Sequence, residues 1–254
     1  MNQLTGIFRY VTFGLRKEWI DLFFEIKTKV LEHPSLGNRQ QDAFYSYLQD
    51  AGLIVDRYET SEFCEKVDVL KKSGKLNTEL LWSFLWINLC FNASLFLWWA
   101  NLDCGEYSRE ETITLLAQDY GKRNSSIKGA YTSLISTFER TPIGSDLRLG
   151  EIRKDGATRR IFKRGGYPFL PAVVLYALYK YAERAGQYRI SLEQIAASPF
   201  SPHRLLAVDA EYVKRSLLSL FALDLLTVNV QDDTVMFLLN SEKHSLNVIE
   251  MLMS

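Results

Sequence analysis

The sequence has little of what metal, redox and covalent chemistry need. Its 254 residues hold three histidines, His33, His203 and His244, and three cysteines, Cys64, Cys90 and Cys104. None stands in a Cys-x-x-Cys or Cys/His spacing, so no zinc site is expected. An odd, scattered cysteine set argues against a disulfide framework and for a reducing compartment. A Gly-x-x-x-x-Gly-Lys-Ser/Thr loop, a Gly-x-Gly-x-x-Gly turn, a Gly-x-Ser-x-Gly elbow and a His-Glu-x-x-His helix are all missing. Nucleotide hydrolysis, dinucleotide redox chemistry, serine hydrolysis and zinc proteolysis are thereby left without their usual residues. Residues 1–9 lack an apolar stretch behind a basic start, so the expectation is a cytoplasmic protein.

Net charge is zero, with 30 basic and 30 acidic side chains, so no global positive field draws the chain to nucleic acid. Charge is unevenly spread, however. Residues 41–121 carry 6 basic and 13 acidic side chains, whereas 122–164 carry 11 basic and 4 acidic. One concentrated basic stretch is enough for a phosphate-backbone footprint.

The 23 residues 80–102 carry no charge and include Trp82, Trp86, Trp98 and Trp99, which is long enough for a membrane span. Asn88 and Asn92 lie one helical turn apart within it, a costly pair in lipid. A helix buried at the centre of a larger fold is therefore expected over a membrane anchor.

Helical periodicity and turn residues divide the chain into three units, 1–75, 76–165 and 166–254. In the first, a helix over 19–31 ends at His33-Pro34, a second covers 39–48, and Gly52 leads into a short strand at 53–55. In the second, Ser108 and Glu111 form a capping box, Gly121 ends that helix, and another runs over 127–138. A basic hairpin over 153–164 follows, turning at Asp155-Gly156. In the third, helices are expected over 172–185, 192–197 and 209–223, then strands over 226–230 and 234–239 joined by Gln231-Asp232-Asp233, and a short helix in the tail. The fold class expected is mainly α with small β-wings (α+β): tandem winged-helix or helix-turn-helix units around a central hydrophobic helix.

Such units read DNA through polar residues at the start of the second helix. Those residues are Asn38, Arg39 and Gln40 in the first unit and Lys122, Arg123, Ser125, Ser126 and Lys128 in the second. The hairpin adds Arg153, Lys154, Arg159, Arg160, Lys163 and Arg164 as candidate phosphate contacts. Strand alternation lets about half of these face one phosphate track. Asp146 and Glu151 with Lys154 form one acid-and-cation grouping that could hold Mg or Mn for phosphodiester cleavage, at a spacing shorter than nucleases normally use. No other metal or cofactor is implied.

Several stretches resemble a bacterial family. They are Leu36-Gly37 with Ala51-Gly52-Leu53-Ile54, the run Phe96-Leu97-Trp98-Trp99, Tyr107-Ser108-Arg109-Glu110-Glu111, residues 175–181, and Ser198-Pro199-Phe200-Ser201-Pro202. The family is that of SspB-like proteins, long catalogued as a domain of unknown function beside sulfur-transfer enzymes of DNA phosphorothioation systems. Thr12-Phe13-Gly14-Leu15-Arg16 stands where the family opens on a Gly-His-Glu-Thr-Phe-like run. The resemblance implies DNA handling in a phosphorothioate modification or phage-defence complex, with DNA nicking as its activity. It also implies double-stranded DNA and other proteins of a sulfur-modification complex as partners, with a homodimer as a further option. A winged-helix transcriptional regulator and a protein-docking scaffold without DNA affinity are the alternatives.

Overall fold

The computed structural model describes residues 7–121, 124–156, 158–220, 224–231 and 234–253. Helix α1 (Lys17–Ile26) buries Trp19, Ile20, Phe23 and Phe24. It stops short of the expected 19–31 helix because Lys27 takes a left-handed φ of 54°, and Lys27–Glu32 continues as a 3₁₀ turn. Helix α2 (Asn38–Asp50) follows and ends before Gly52, whose φ is 73°. The expected strand at 53–55 reduces to a single bridge, Ile54 to Thr60. Helix α3 (Glu62–Lys72), absent from the sequence reading, is capped by the Ser61 hydroxyl on the Cys64 amide (3.0 Å).

The long uncharged run forms two helices where one was expected. α4 (Thr78–Asn92) and α5 (Ser94–Asn101) meet at 105°, across an extended Ala93. Among the described residues no helix is long and apolar enough to cross a membrane. Asn88 and Asn92 each donate at 3.0 Å to the carbonyls of Ala51 and Asp50, which satisfies the open end of α2. Trp86 donates to the Leu205 carbonyl (2.7 Å), and Asn88 accepts from the Tyr176 hydroxyl (2.8 Å). Buried α4 thus carries polar groups because other segments' backbone and side chains need them.

Strand β1 (Gly105–Ser108) leads into α6 (Arg109–Tyr120), started by the expected Ser108–Glu111 capping box and closed by Gly121. Helix α7 (Ser125–Arg140) is capped by Asn124. Strands β2 (Glu151–Asp155) and β3 (Thr158–Lys163) form the expected hairpin, and the antiparallel sheet runs β1-β3-β2. Helix α8 (Pro171–Ala185) starts on proline and ends at left-handed Gly186. Then come β4 (Arg189–Ser191), α9 (Leu192–Ala197), α10 (Pro202–Leu206) and α11 (Ala210–Leu218). Strands β5 (Leu226–Gln231) and β6 (Thr234–Leu239) complete a second antiparallel sheet in the order β4-β6-β5, and α12 (Ser245–Met251) ends the chain's described elements. Residues 221–223 of the expected 209–223 helix, and Asp232 and Asp233 of the expected turn, lie outside the described residues.

Both sheets follow one plan: a helix, a strand, further helices, then a hairpin whose second strand pairs with the first strand of the unit. The chain is thus mainly helical with two small three-stranded sheets. Its buried apolar side chains form one cluster reaching from Ile7 to Ile249.

Candidate nucleic-acid interface

The hairpin register places Arg153 opposite Arg160 and Lys154 opposite Arg159. Like charges facing across a ladder repel, so each pair needs a carboxylate. Strand alternation sorts the side chains onto two faces. Ile152, Lys154, Arg159, Ile161 and Lys163 share the inner face with Tyr107, whose ring packs 5.4 Å from that of Trp99. Arg153, Arg160 and Phe162 share the outer face with Glu106 and Glu151.

Three glutamates serve these cations. Glu139, near the end of α7, binds Lys154 (2.9 Å) and Arg159 (3.1 Å). Two cations beside it hold its carboxyl below the usual range. Glu151 binds Arg153 (2.9 Å) and Arg164 (2.6 Å), and Glu106 binds Arg160 (2.5 Å). Five cations meet three carboxylates, so the hairpin keeps a positive excess, with every one of those cationic side chains at least two-fifths exposed.

Lys163 has a different role from the phosphate contact expected of it. It is 3% exposed, and its ammonium donates to the carbonyls of Ala100 (2.7 Å), Leu102 (2.5 Å) and Trp99 (3.3 Å). It therefore caps the open end of α5. Burial pushes its pKa down to about 8.

At the helix starts, Ser125 and Lys128 are exposed and Ser126 is half-buried, while Asn124 spends its side chain on the Ile127 amide (3.1 Å). Lys128 and Glu139 lie roughly 16 Å apart along α7 at the usual helical rise. Lys122 and Arg123 lie outside the described residues. In the first unit Asn38 and Arg39 are exposed, and Gln40 accepts from the Gly37 amide (3.2 Å). Sequence reading missed the loop beside them. Arg57 pairs with Asp42 (3.1 Å) and lies 4.8 Å over the Tyr45 ring, next to Tyr58, which is 83% exposed. The turn signal was present in Asp56, which accepts from the Tyr58 amide (2.7 Å).

The segment before α1 locks α2 and α7 together. Asp50, buried on α2, accepts from Tyr10 and pairs with Arg9 (2.8 Å). Burial pushes its carboxyl up to about 6, against the lowering pull of Tyr10 and Arg9. Gly14 meets the backbone of Ser136 and Thr137 so closely that an added Cβ would stand 2.3 Å from the Thr137 amide.

Asp146, Glu151 and Lys154 do not form a metal-binding set. Asp146 accepts from Ser145 (2.5 Å), both Glu151 oxygens face arginines, and Lys154 turns to Glu139. Among the described residues no group of three or more histidine, cysteine, aspartate or glutamate side chains could hold a metal ion.

The geometry defines a class: a mainly helical protein in which two helix-and-hairpin units share one core, the first presenting a charged hairpin. Its fold is SspB-like. The crystal structure of magnesium ion-bound SspB superposes with a TM-score of 0.72 at 14% identity, over 98% of this chain and 87% of that one. A second SspB crystal structure gives 0.73 at 14% identity, over 99% and 88%. No protein-family model matches the sequence. No curated protein matches it.

Proposed function

We propose that this chain is a cytoplasmic DNA-binding component of a bacterial phosphorothioate modification and phage-defence system. The observation that carries the reading is the repeated plan of helix, strand, further helices (two in the first unit, three in the second) and hairpin, with a positive excess on the first hairpin. Strand order β1-β3-β2 with α6 and α7 between supports reading this unit as a winged helix. In that reading α7 enters the groove of double-stranded DNA with Ser125, Ser126 and Lys128, and the β2–β3 wing follows the backbone with Arg153, Lys154, Arg159, Arg160 and Arg164. Asn38, Arg39 and Gln40 serve the first unit in the same way. The likeness to SspB supports the system assigned, with other proteins of that system as partners. The domain division proposed is 1–75, 76–165 and 166–254, the last two each holding one helix-and-hairpin unit.

Nicking rests on the family resemblance alone. The acids described do not fit a magnesium ion, so no cleavage step is derived through one.

Fluorescence anisotropy of a labelled duplex across a salt series tests the reading. The apparent affinity should fall steeply with salt, and replacing Arg153, Lys154, Arg159 and Arg160 with alanine should flatten the slope by about 0.9 for each phosphate no longer neutralised. No binding at low salt, or an unchanged slope, overturns it. Incubating supercoiled plasmid with the protein and magnesium tests for nicking, and an intact plasmid removes it.

A further inference from the structure

The outer face of the β1-β3-β2 sheet has a feature that phosphate contact leaves unused. Phe162 stands on the central strand, half-buried, and is the one aromatic side chain among the described residues of that face. The Arg153 guanidinium lies 4.5 Å above its ring centroid and that of Arg164 lies 5.9 Å away. Glu151 accepts from both arginines, at 2.9 Å and 2.6 Å, which holds the two guanidinium groups beside the ring. Arg160 stands one residue pair further along the same face, bound to Glu106.

An aromatic ring on an open sheet, roofed by a guanidinium and flanked by two more, is a stacking platform. Bases in a duplex are stacked on each other and offer such a ring no free π-face, whereas an unpaired base does. Phosphate tracking alone needs no aromatic residue. The Arg153 side chain is 51% exposed, so lifting it from the ring to admit a base costs only its partly exposed pair with Glu151.

We propose that this face binds single-stranded DNA, with an unpaired base inserted between the Phe162 ring and the Arg153 guanidinium and the adjoining phosphates on Arg160 and Arg164. The inference rests on the reading of the hairpin as the DNA-contacting element and gives it a substrate class: DNA with at least one base out of the stack. The ring and the guanidinium then act on opposite faces of the base, and the charge left over from Glu151 and Glu106 meets the backbone.

The test compares a labelled oligothymidylate with a labelled duplex, by anisotropy at one salt concentration, for the wild type, Phe162→Leu and Arg153→Ala. Leucine keeps the half-buried position apolar but removes the π-face, and Arg153 is exposed, so the second variant reports even where the first fails to fold. Each substitution should weaken oligothymidylate binding about tenfold, the range of one base stack. Duplex binding should stay within about twofold for Phe162→Leu. Equal losses on both ligands, or oligothymidylate binding that neither substitution weakens, overturns the inference while leaving duplex binding by the hairpin intact. A wild type that binds oligothymidylate but not the duplex overturns the winged-helix reading and leaves this one. Binding of neither ligand by the wild type overturns both.

Discussion

The ammonium of Lys163 lies 2.7 Å from the carbonyl oxygen of Ala100, inside the protein and 63 residues away in sequence. With Leu102 and Trp99 it completes a cap on α5. Lys163→Met should leave those carbonyls short of a donor and cost about 2–3 kcal/mol in urea denaturation. The salt slope of duplex binding should not change. A stable variant with a flatter slope would place the ammonium at the DNA.

Glu139 is the counterweight of the hairpin's inner face, with Lys154 at 2.9 Å and Arg159 at 3.1 Å. Glu139→Gln frees two cations at the end of α7. Duplex affinity should rise at low salt and its slope should steepen by about one unit. Unchanged affinity would mean that neither cation reaches a phosphate.

Asp50 should make stability depend on pH. Its carboxyl is raised from 3.8 to about 6 in the folded protein, so the fold favours the protonated form. The resulting stabilisation is complete below the unfolded value of 3.8 and is lost as pH rises through about 6. Asp50→Asn still offers an oxygen to Tyr10 and should remove this dependence. Urea midpoints of the wild type should therefore fall relative to the variant between those two values. Parallel pH profiles would show that Asp50 titrates as an ordinary carboxylate.

Gly165 adopts a left-handed φ of 66°, and a Cβ there would stand 2.2 Å from the Ala207 carbonyl oxygen. Gly165→Ala should cost on the order of 2 kcal/mol or more, because the obstacle is backbone as well as dihedral preference. Gly186 has a similar φ of 63° but nothing within 4 Å, so Gly186→Ala should cost only about 1 kcal/mol. Thermal melts compare the two, and equal losses would remove the steric argument.

Local signals in the sequence located many elements. Ser108 with Glu111 starts α6 and Gly121 ends it as read, and Gly156 sits in the turn of the hairpin. Helix α3 was legible too, since Phe63, Cys64, Val67 and Leu70 recur at helical spacing behind the Ser61 cap, but it was overlooked. The bend at Ala93 was not legible, because no proline or glycine marks it. Its surroundings are set by partners far away in the chain, such as the Tyr120 hydroxyl on the Ser94 carbonyl (3.0 Å).

The sequence by itself determined several of the caps and turns that bound helices, and where basic residues concentrate, because a cap or a turn is settled by groups three or four residues apart. Only the tertiary structure decided which of those charges remain available. Arg159 meets its carboxylate across 20 residues, Arg160 across 54, and Lys163 finds its carbonyls across 61 to 64. The energy of a charge depends on burial and on the partner within a few ångströms, and chain folding alone brings such partners together.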